Sequence, residues 1–128
     1  MKTTSKKAKP KDGLHREYFA NGELASVGRY SKGLKVGVWR FYLRNGVVRA
    51  AGRFSKGKLS GQWKWNRENG GPLQTGTFKD GKQHGTWKRW RKTGELYDVG
   101  QFVNGKRKGA WKIFDRSGKV ARTRNYRA

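Results

Sequence analysis

Polar and apolar positions along this chain alternate in short runs that glycines interrupt at fixed intervals. The run Val38 to Tyr42 is β-branched and aromatic, as are its counterparts elsewhere, which is the composition of a strand. It leads into Asn45-Gly46, a hairpin turn signal that recurs as Asn21-Gly22 and Asn69-Gly70. The return run, Val47 to Phe54, ends in Ser55-Lys56-Gly57, a second turn whose glycine suits a positive φ. Helix is disfavoured, because a glycine costs roughly 1 kcal/mol in a helix interior and each unit holds several. The pattern predicts about nine or ten short antiparallel strands in one continuous, twisted sheet.

The runs repeat. Gly13, Gly37, Gly61, Gly85 and Gly109 lie 24 residues apart, and so do Gly22, Gly46, Gly70, Gly94 and Gly118. Gly28, Gly52, Gly76 and Gly100 keep the period, as do Gly33, Gly57, Gly81 and Gly105, which leaves only Gly71 outside the register. Trp39, Trp63, Trp87 and Trp111 follow the first glycine of their units by two residues, with His15 in that place in the first. A second aromatic column is Tyr30, Phe54, Phe78, Phe102 and Tyr126. A third is Tyr18, Tyr42, Trp90 and Phe114, with Asn66 in the middle unit. Self-similarity at a fixed period means one supersecondary unit stacked on itself, each copy covering the next. The expected organisation is a basic flexible tail over residues 1–12 and a five-unit repeat domain over residues 13–128.

Gly28, Gly52, Gly76 and Gly100 fall inside the return strand, where a glycine marks a bulge or a close approach by another group. The expectation is that each leaves room for a Trp ring from a neighbouring strand. A bulge without a packing role is the alternative. On this reading Trp39, Trp63, Trp87 and Trp111, with Tyr30, Phe54, Phe78 and Phe102, form a structural aromatic core.

Composition then changes the picture in one respect. The 32 Lys and Arg against 8 Asp and Glu give a net charge of +24. A small domain needs a net charge of only about 2–8 for solubility, and more adds self-repulsion. A bound anion would account for the excess. Cysteine is absent, which excludes disulfides and thiolate chemistry. No apolar stretch is long enough for a spanning helix, and the basic start MKTTSKKAKPKD precedes no apolar region of a secretory signal. A cytoplasmic protein is the expectation.

The segment Phe78-Lys79-Asp80-Gly81-Lys82-Gln83-His84-Gly85-Thr86-Trp87 resembles the MORN repeat: an aromatic, a turn with Asn/Asp-Gly-Lys, then His-Gly and an aromatic. With its second glycine turn, from Trp87 to Gly94, it is most similar to variant MORN-like repeats of bacteria. Some bacterial proteins of that kind are antitoxins or immunity proteins. The resemblance covers roughly residues 13–126. It implies an all-β fold, an elongated single-layer antiparallel sheet of stacked β-hairpins. For function it implies phospholipid surfaces, protein scaffolding or toxin neutralisation. The first unit departs from the pattern in lacking the Trp. The third departs in a Gly70-Gly71-Pro72 turn that reads like an insertion, and the basic excess is unusual for the family.

Catalytic chemistry is hard to place. His84 sits in the His-Gly turn of the repeat and reads as structural, and His15 reads as a partly buried ring in the Trp column. The acids are scattered among turns and strand ends, with no metal spacing, nucleophile elbow or phosphate loop. The expectation is a non-enzymatic protein without a cofactor or a metal.

The basic residues carry the candidate site. Arg16, Arg40, Lys64, Lys88 and Lys112 occupy one strand position in all five units, and strand alternation puts that position on the face opposite the Trp column. With strands about 4.8 Å apart, equivalent positions recur about every 10 Å and the row spans about 40 Å. Lys58, Lys82 and Lys106 form a second column, expected in the loops, with Lys32 and Lys56 close by. Ordinary solvation accounts for any one of these cations, but not for their total. Lys2, Lys6, Lys7, Lys9 and Lys11 form a basic arm, and Arg122, Arg124 and Arg127 add charge at the other end. The favoured partner is nucleic acid, through phosphate neutralisation and base stacking on exposed aromatics. The alternatives are an acidic protein, including a toxin, and an anionic membrane surface contacted peripherally.

Overall fold

A computed structural model describes residues 12–127. The basic arm from Lys2 to Lys11 lies outside the described residues. The rest is all-β: ten strands in one antiparallel sheet, in the order β1 to β10 without a crossover. They are β1 (Gly13–Tyr18), β2 (Leu24–Ser31), β3 (Leu34–Tyr42), β4 (Val48–Ser55), β5 (Lys58–Asn66), β6 (Pro72–Lys79), β7 (Lys82–Trp90), β8 (Leu96–Val103), β9 (Lys106–Phe114) and β10 (Val120–Tyr126). Each strand pairs by hydrogen bonds only with its chain neighbours, so the array is open and elongated.

Two kinds of turn alternate along it. At the Asn-Gly turns only the glycine has a positive φ, +87° at Gly46. The Gly46 N–H donates to the Leu43 carbonyl (2.9 Å) and the Asn45 side-chain oxygen accepts from the Val47 N–H (3.1 Å). This is a type I turn closed by a left-handed residue. The Gly70-Gly71-Pro72 turn is no insertion. Asn69 accepts from the Gly71 N–H at 2.8 Å as its counterparts do, and Pro72 opens β6, where its missing N–H is tolerated. At the other turns both central residues are left-handed, with φ of +49° at Lys56 and +81° at Gly57, as a two-residue type I′ turn requires. These turns also stack on one another. Gly57, Gly81 and Gly105 donate N–H bonds to Lys35, Leu59 and Gln83 of the preceding unit.

Strands β3, β5, β7 and β9 begin several residues before the Trp-bearing runs that the sequence pattern marks out. Gly37, Gly61, Gly85 and Gly109 do not end them; these glycines sit in bulges at φ near +70°, between +67° and +78°. Across β2 and β3, for example, the register jumps from Val27↔Arg40 to Arg29↔Val36. His84 accordingly lies in strand β7, opposite Thr77, and not in a turn. Its Nδ1 is buried without a hydrogen-bond partner.

The bulge and the interior glycine turn out to serve one packing motif. A Cβ on Gly28, Gly52, Gly76 or Gly100 would lie 2.0–2.1 Å from the six-membered ring of Trp39, Trp63, Trp87 or Trp111. Each indole therefore lies flat on the bare backbone of the strand before it. Its N–H donates to the carbonyl of the residue after that glycine, Trp39 to Arg29 and Trp63 to Arg53, both at 3.0 Å. The four Trp are only 1–3% exposed, although nothing but the sheet's own side chains covers this face among the described residues. Tyr30, Phe54, Phe78 and Phe102 wall them in edge-on, with centroid separations of 5.2, 5.2, 5.2 and 5.3 Å to the Trp that follows, a favourable quadrupole geometry. His15 meets Tyr30 the same way at 5.0 Å.

The exceptions fall where the motif has no partner. His15 lies on edge strand β1, with no described strand before it to carry a glycine. Arg124, on edge strand β10, takes the place of the interior glycine and has no described Trp to admit.

Candidate polyanion-binding face

With the Trp column fixing one face as aromatic, alternation assigns the other. Arg16, Arg40, Lys64, Lys88 and Lys112 are all exposed and lie on that second face. Register makes them one straight row across the sheet. It runs Arg16, Val27, Arg40, Ala51, Lys64, Thr75, Lys88, Val99, Lys112 and Thr123, each directly opposite the next. The residues between the cations are small or β-branched, so none of them screens the charges. From β1 to β9 the row spans about 38 Å at about 4.8 Å per strand.

Lys58, Lys82 and Lys106 do not lie in loops but open β5, β7 and β9, since the type I′ turn before each takes only two residues. Their exposed side chains share the row's face by parity, nearer the type I′ turns. Lys82 stands directly opposite Lys79, a like-charge pair that destabilises a sheet. The aromatic column Tyr18, Tyr42, Trp90 and Phe114 lies two residues beyond the row on the same strands, and so alternation turns it to the same face. Tyr18 is 60% exposed. The row thus runs between lysines on one side and aromatic rings on the other.

No strand position of this face carries a carboxylate among the described residues. Glu17 and Asp98 belong to the aromatic face, where Ser26 donates to Glu17 at 3.2 Å and Arg89 to Asp98 at 3.0 and 2.6 Å. The Arg89–Asp98 contact is the one ion pair among the described residues, and it holds the Arg89 guanidinium pKa above its usual value, mainly through the hydrogen bond. Asp12 and Asp115 serve turns, Asp12 by accepting from the Lys32 N–H at 2.7 Å. Hydrogen bonds in its own turn, first from the Ser117 hydroxyl, hold the Asp115 carboxyl below the usual carboxylate range.

The structure adds cations that repeat-column reasoning passes over. Arg29, opposite Val36, and Arg53, opposite Ser60, sit on the cationic face; they occur in only two units, so no column announces them. Counting from Gly28 and Gly52 by alternation would have found them. Conversely, some cations belong to the aromatic face. Lys35 lies 5.3 Å over the Trp39 ring and Arg107 lies 4.4 Å over Trp111. The aromatic core residues pack one unit against the next.

The family model of the MORN repeat variant matches residues 11–32 and 107–128, the hairpins of the first and last units. No curated protein matches the chain. Between the two matches the same glycines and aromatics keep the 24-residue register through three further hairpins. The first and last hairpins of this meandering sheet are thus MORN-variant repeats, and the three between them share their pattern.

Proposed function

We propose that this protein is a non-enzymatic binding module for a polyanion, and that the polyanion is nucleic acid held through its phosphates on the cationic face. MORN repeats are generally binding modules, often for membranes or proteins, which supports the coarser half of this reading. The finer half rests on one observation: a cation from every unit in a single cross-strand row, on a face whose strand positions carry no acid among the described residues. Isolated surface cations are solvation, but five in register with no counter-charge create a continuous positive track. A phosphate backbone fits such a track better than a compact acidic patch, because it supplies charge over the whole length. Tyr18, Tyr42, Trp90 and Phe114 alongside would let unpaired bases stack without sequence preference. The partner would be met in the cytoplasm, and no cofactor is needed.

The test is retention of mixed-sequence single-stranded DNA and RNA as a function of salt. Log K should fall against log salt by about 0.7 for each phosphate contacted on a single strand. Each ladder change, such as Lys64→Ala or Lys88→Ala, should lower that slope by nearly one such step and leave sequence preference alone. Deleting residues 1–11 should weaken binding while leaving the fold. If the fivefold ladder variant keeps parental affinity and slope, the site lies elsewhere. Capture of one acidic protein, or of anionic vesicles, with no retention of nucleic acid at about 0.15 M salt would replace this reading.

A further inference from the structure

We infer that the aromatic face carries a second and separate anion site, at its β7–β10 end, built for the phosphate monoester or diphosphate group of a small molecule. The site stands on the opposite side of the sheet from the ladder and does not depend on it.

Four arginines line one cavity of about 190 Å³ there: Arg89 from β7, Arg107 from β9, and Arg122 and Arg124 from β10. Register puts Arg107 opposite Phe102, Arg122 opposite Ile113 and Arg124 opposite Trp111, all on the aromatic face. None of these arginines is demanded by the repeat. The place of Arg89 holds Phe41 and Trp65 in earlier units, and that of Arg107 holds Leu59 and Gln83 besides Lys35. The place of Arg122 holds Ala50 and Gln74, and that of Arg124 is the interior glycine. Because earlier units make the same strands without them, the fold gives no reason for their convergence.

The charge is unbalanced. Asp98, 2% exposed, is the one carboxylate lining the cavity, and Arg89 occupies both its oxygens. Arg107, Arg122 and Arg124 have no acid there. Arg107 donates instead to the Tyr126 hydroxyl at 3.1 Å. That bond, and then one from Arg124, pulls the Tyr126 pKa below its ordinary value, so a neutral phenol is doing the work of an acid. The Arg107 guanidinium lies 4.4 Å over the Trp111 ring, a contact that holds its fork near the cavity for two phosphate oxygens. Several such forks around one small space suit a tetrahedral dianion better than a single planar carboxylate. The volume is below the roughly 300–1,000 Å³ of sites that enclose a drug-sized ligand, so it takes the head group only. A neighbouring cavity of about 330 Å³ shares Arg89, Arg107 and Trp111 and adds Gln74 and Gln83, amides that would meet a polar body attached to the phosphate.

The test titrates the full chain with inorganic pyrophosphate, followed by calorimetry and by tryptophan fluorescence, since Trp111 forms a wall. Saturable binding at one site is expected. Arg107→Gln installs the residue of an earlier unit and Arg124→Gln keeps a side chain on edge strand β10, so the fold and melting temperature should hold. Pyrophosphate affinity should drop by at least about tenfold in each. In Arg107→Gln the lowered tyrosine should also return toward its ordinary ionisation, read by ultraviolet titration. Lys64→Ala and Lys88→Ala should leave pyrophosphate binding unchanged. Adenosine monophosphate should bind where adenosine does not. The inference is overturned if pyrophosphate shows no saturable binding, or if the ladder variants weaken it as much as the arginine variants do.

Discussion

Gly76→Ala tests the packing motif on which the whole sheet depends. The φ of Gly76 lies outside the left-handed region, so the backbone itself accepts alanine. Without Trp87 the change would even stabilise slightly, by about 0.4–1 kcal/mol, through a stiffer unfolded chain. The added methyl, however, would stand 2.0 Å from Cδ2 and Cε2 of Trp87 and 2.5 Å from Cε3. To reach ordinary contact the indole must retreat by more than an ångström. It is held by Phe78 and Phe102 edge-on at 5.2 and 5.7 Å and by its own N–H on the Thr77 carbonyl at 3.1 Å. Overpacking a rigid core costs about 1–3 kcal/mol, and the strained indole hydrogen bond adds about 1. The expected loss is therefore about 2–4 kcal/mol, bounded above by the roughly 3–5 kcal/mol of Trp87→Ala, which empties the site altogether. Urea unfolding followed by circular dichroism measures it. In the Trp87→Ala background Gly76→Ala should become neutral or mildly stabilising, which isolates the pairwise term. Lys88→Ala, one residue away on the other face, should stay within about 0.5 kcal/mol of the parent. If Gly76→Ala costs under about 0.5 kcal/mol, or costs as much without the Trp as with it, the account of these glycines is wrong.

Two further outcomes follow from single features. Lys56 is left-handed at φ +49°, a conformation Asn tolerates better than Lys. Lys56→Asn should raise stability by some tenths of a kcal/mol, and Lys56→Val should lower it by about 1 or more; equal melting temperatures for the two would refute the turn assignment. Asp98 is buried and paired with Arg89, whose side chain is 42% exposed. Asp98→Ala should cost about 1–3 kcal/mol, less than a fully buried pair would. The double change Arg89→Phe with Asp98→Ala copies the Phe41–Ala50 pair of the second unit and should recover the loss in thermal melts. Failure to recover would mean that the pair does more than fill its place in the repeat.

The sequence by itself determined the unit, its length, its two turns and its two faces, because these are local consequences of period and residue type. A glycine every 24 residues cannot drift, and side chains of a strand must alternate. It also determined that Arg16, Arg40, Lys64, Lys88 and Lys112 share a face, since they share one strand position. What it left open was everything that depends on register between strands. Whether Gly28 marks a bulge or a packing hole could be decided only by seeing which ring lies on it, and the answer is that the two are coupled. The bulge at Gly37 shifts the pairing so that Trp39 reaches Gly28. For the same reason the strands pass through their bulge glycines instead of starting after them, and His84 sits in a strand. The convergence of Arg89, Arg107, Arg122 and Arg124 was invisible in the sequence because they occupy four different columns of the repeat. Only pairing β7 through β10 side by side brings them around one cavity, since cross-strand neighbours are set by hydrogen-bond register and not by distance along the chain.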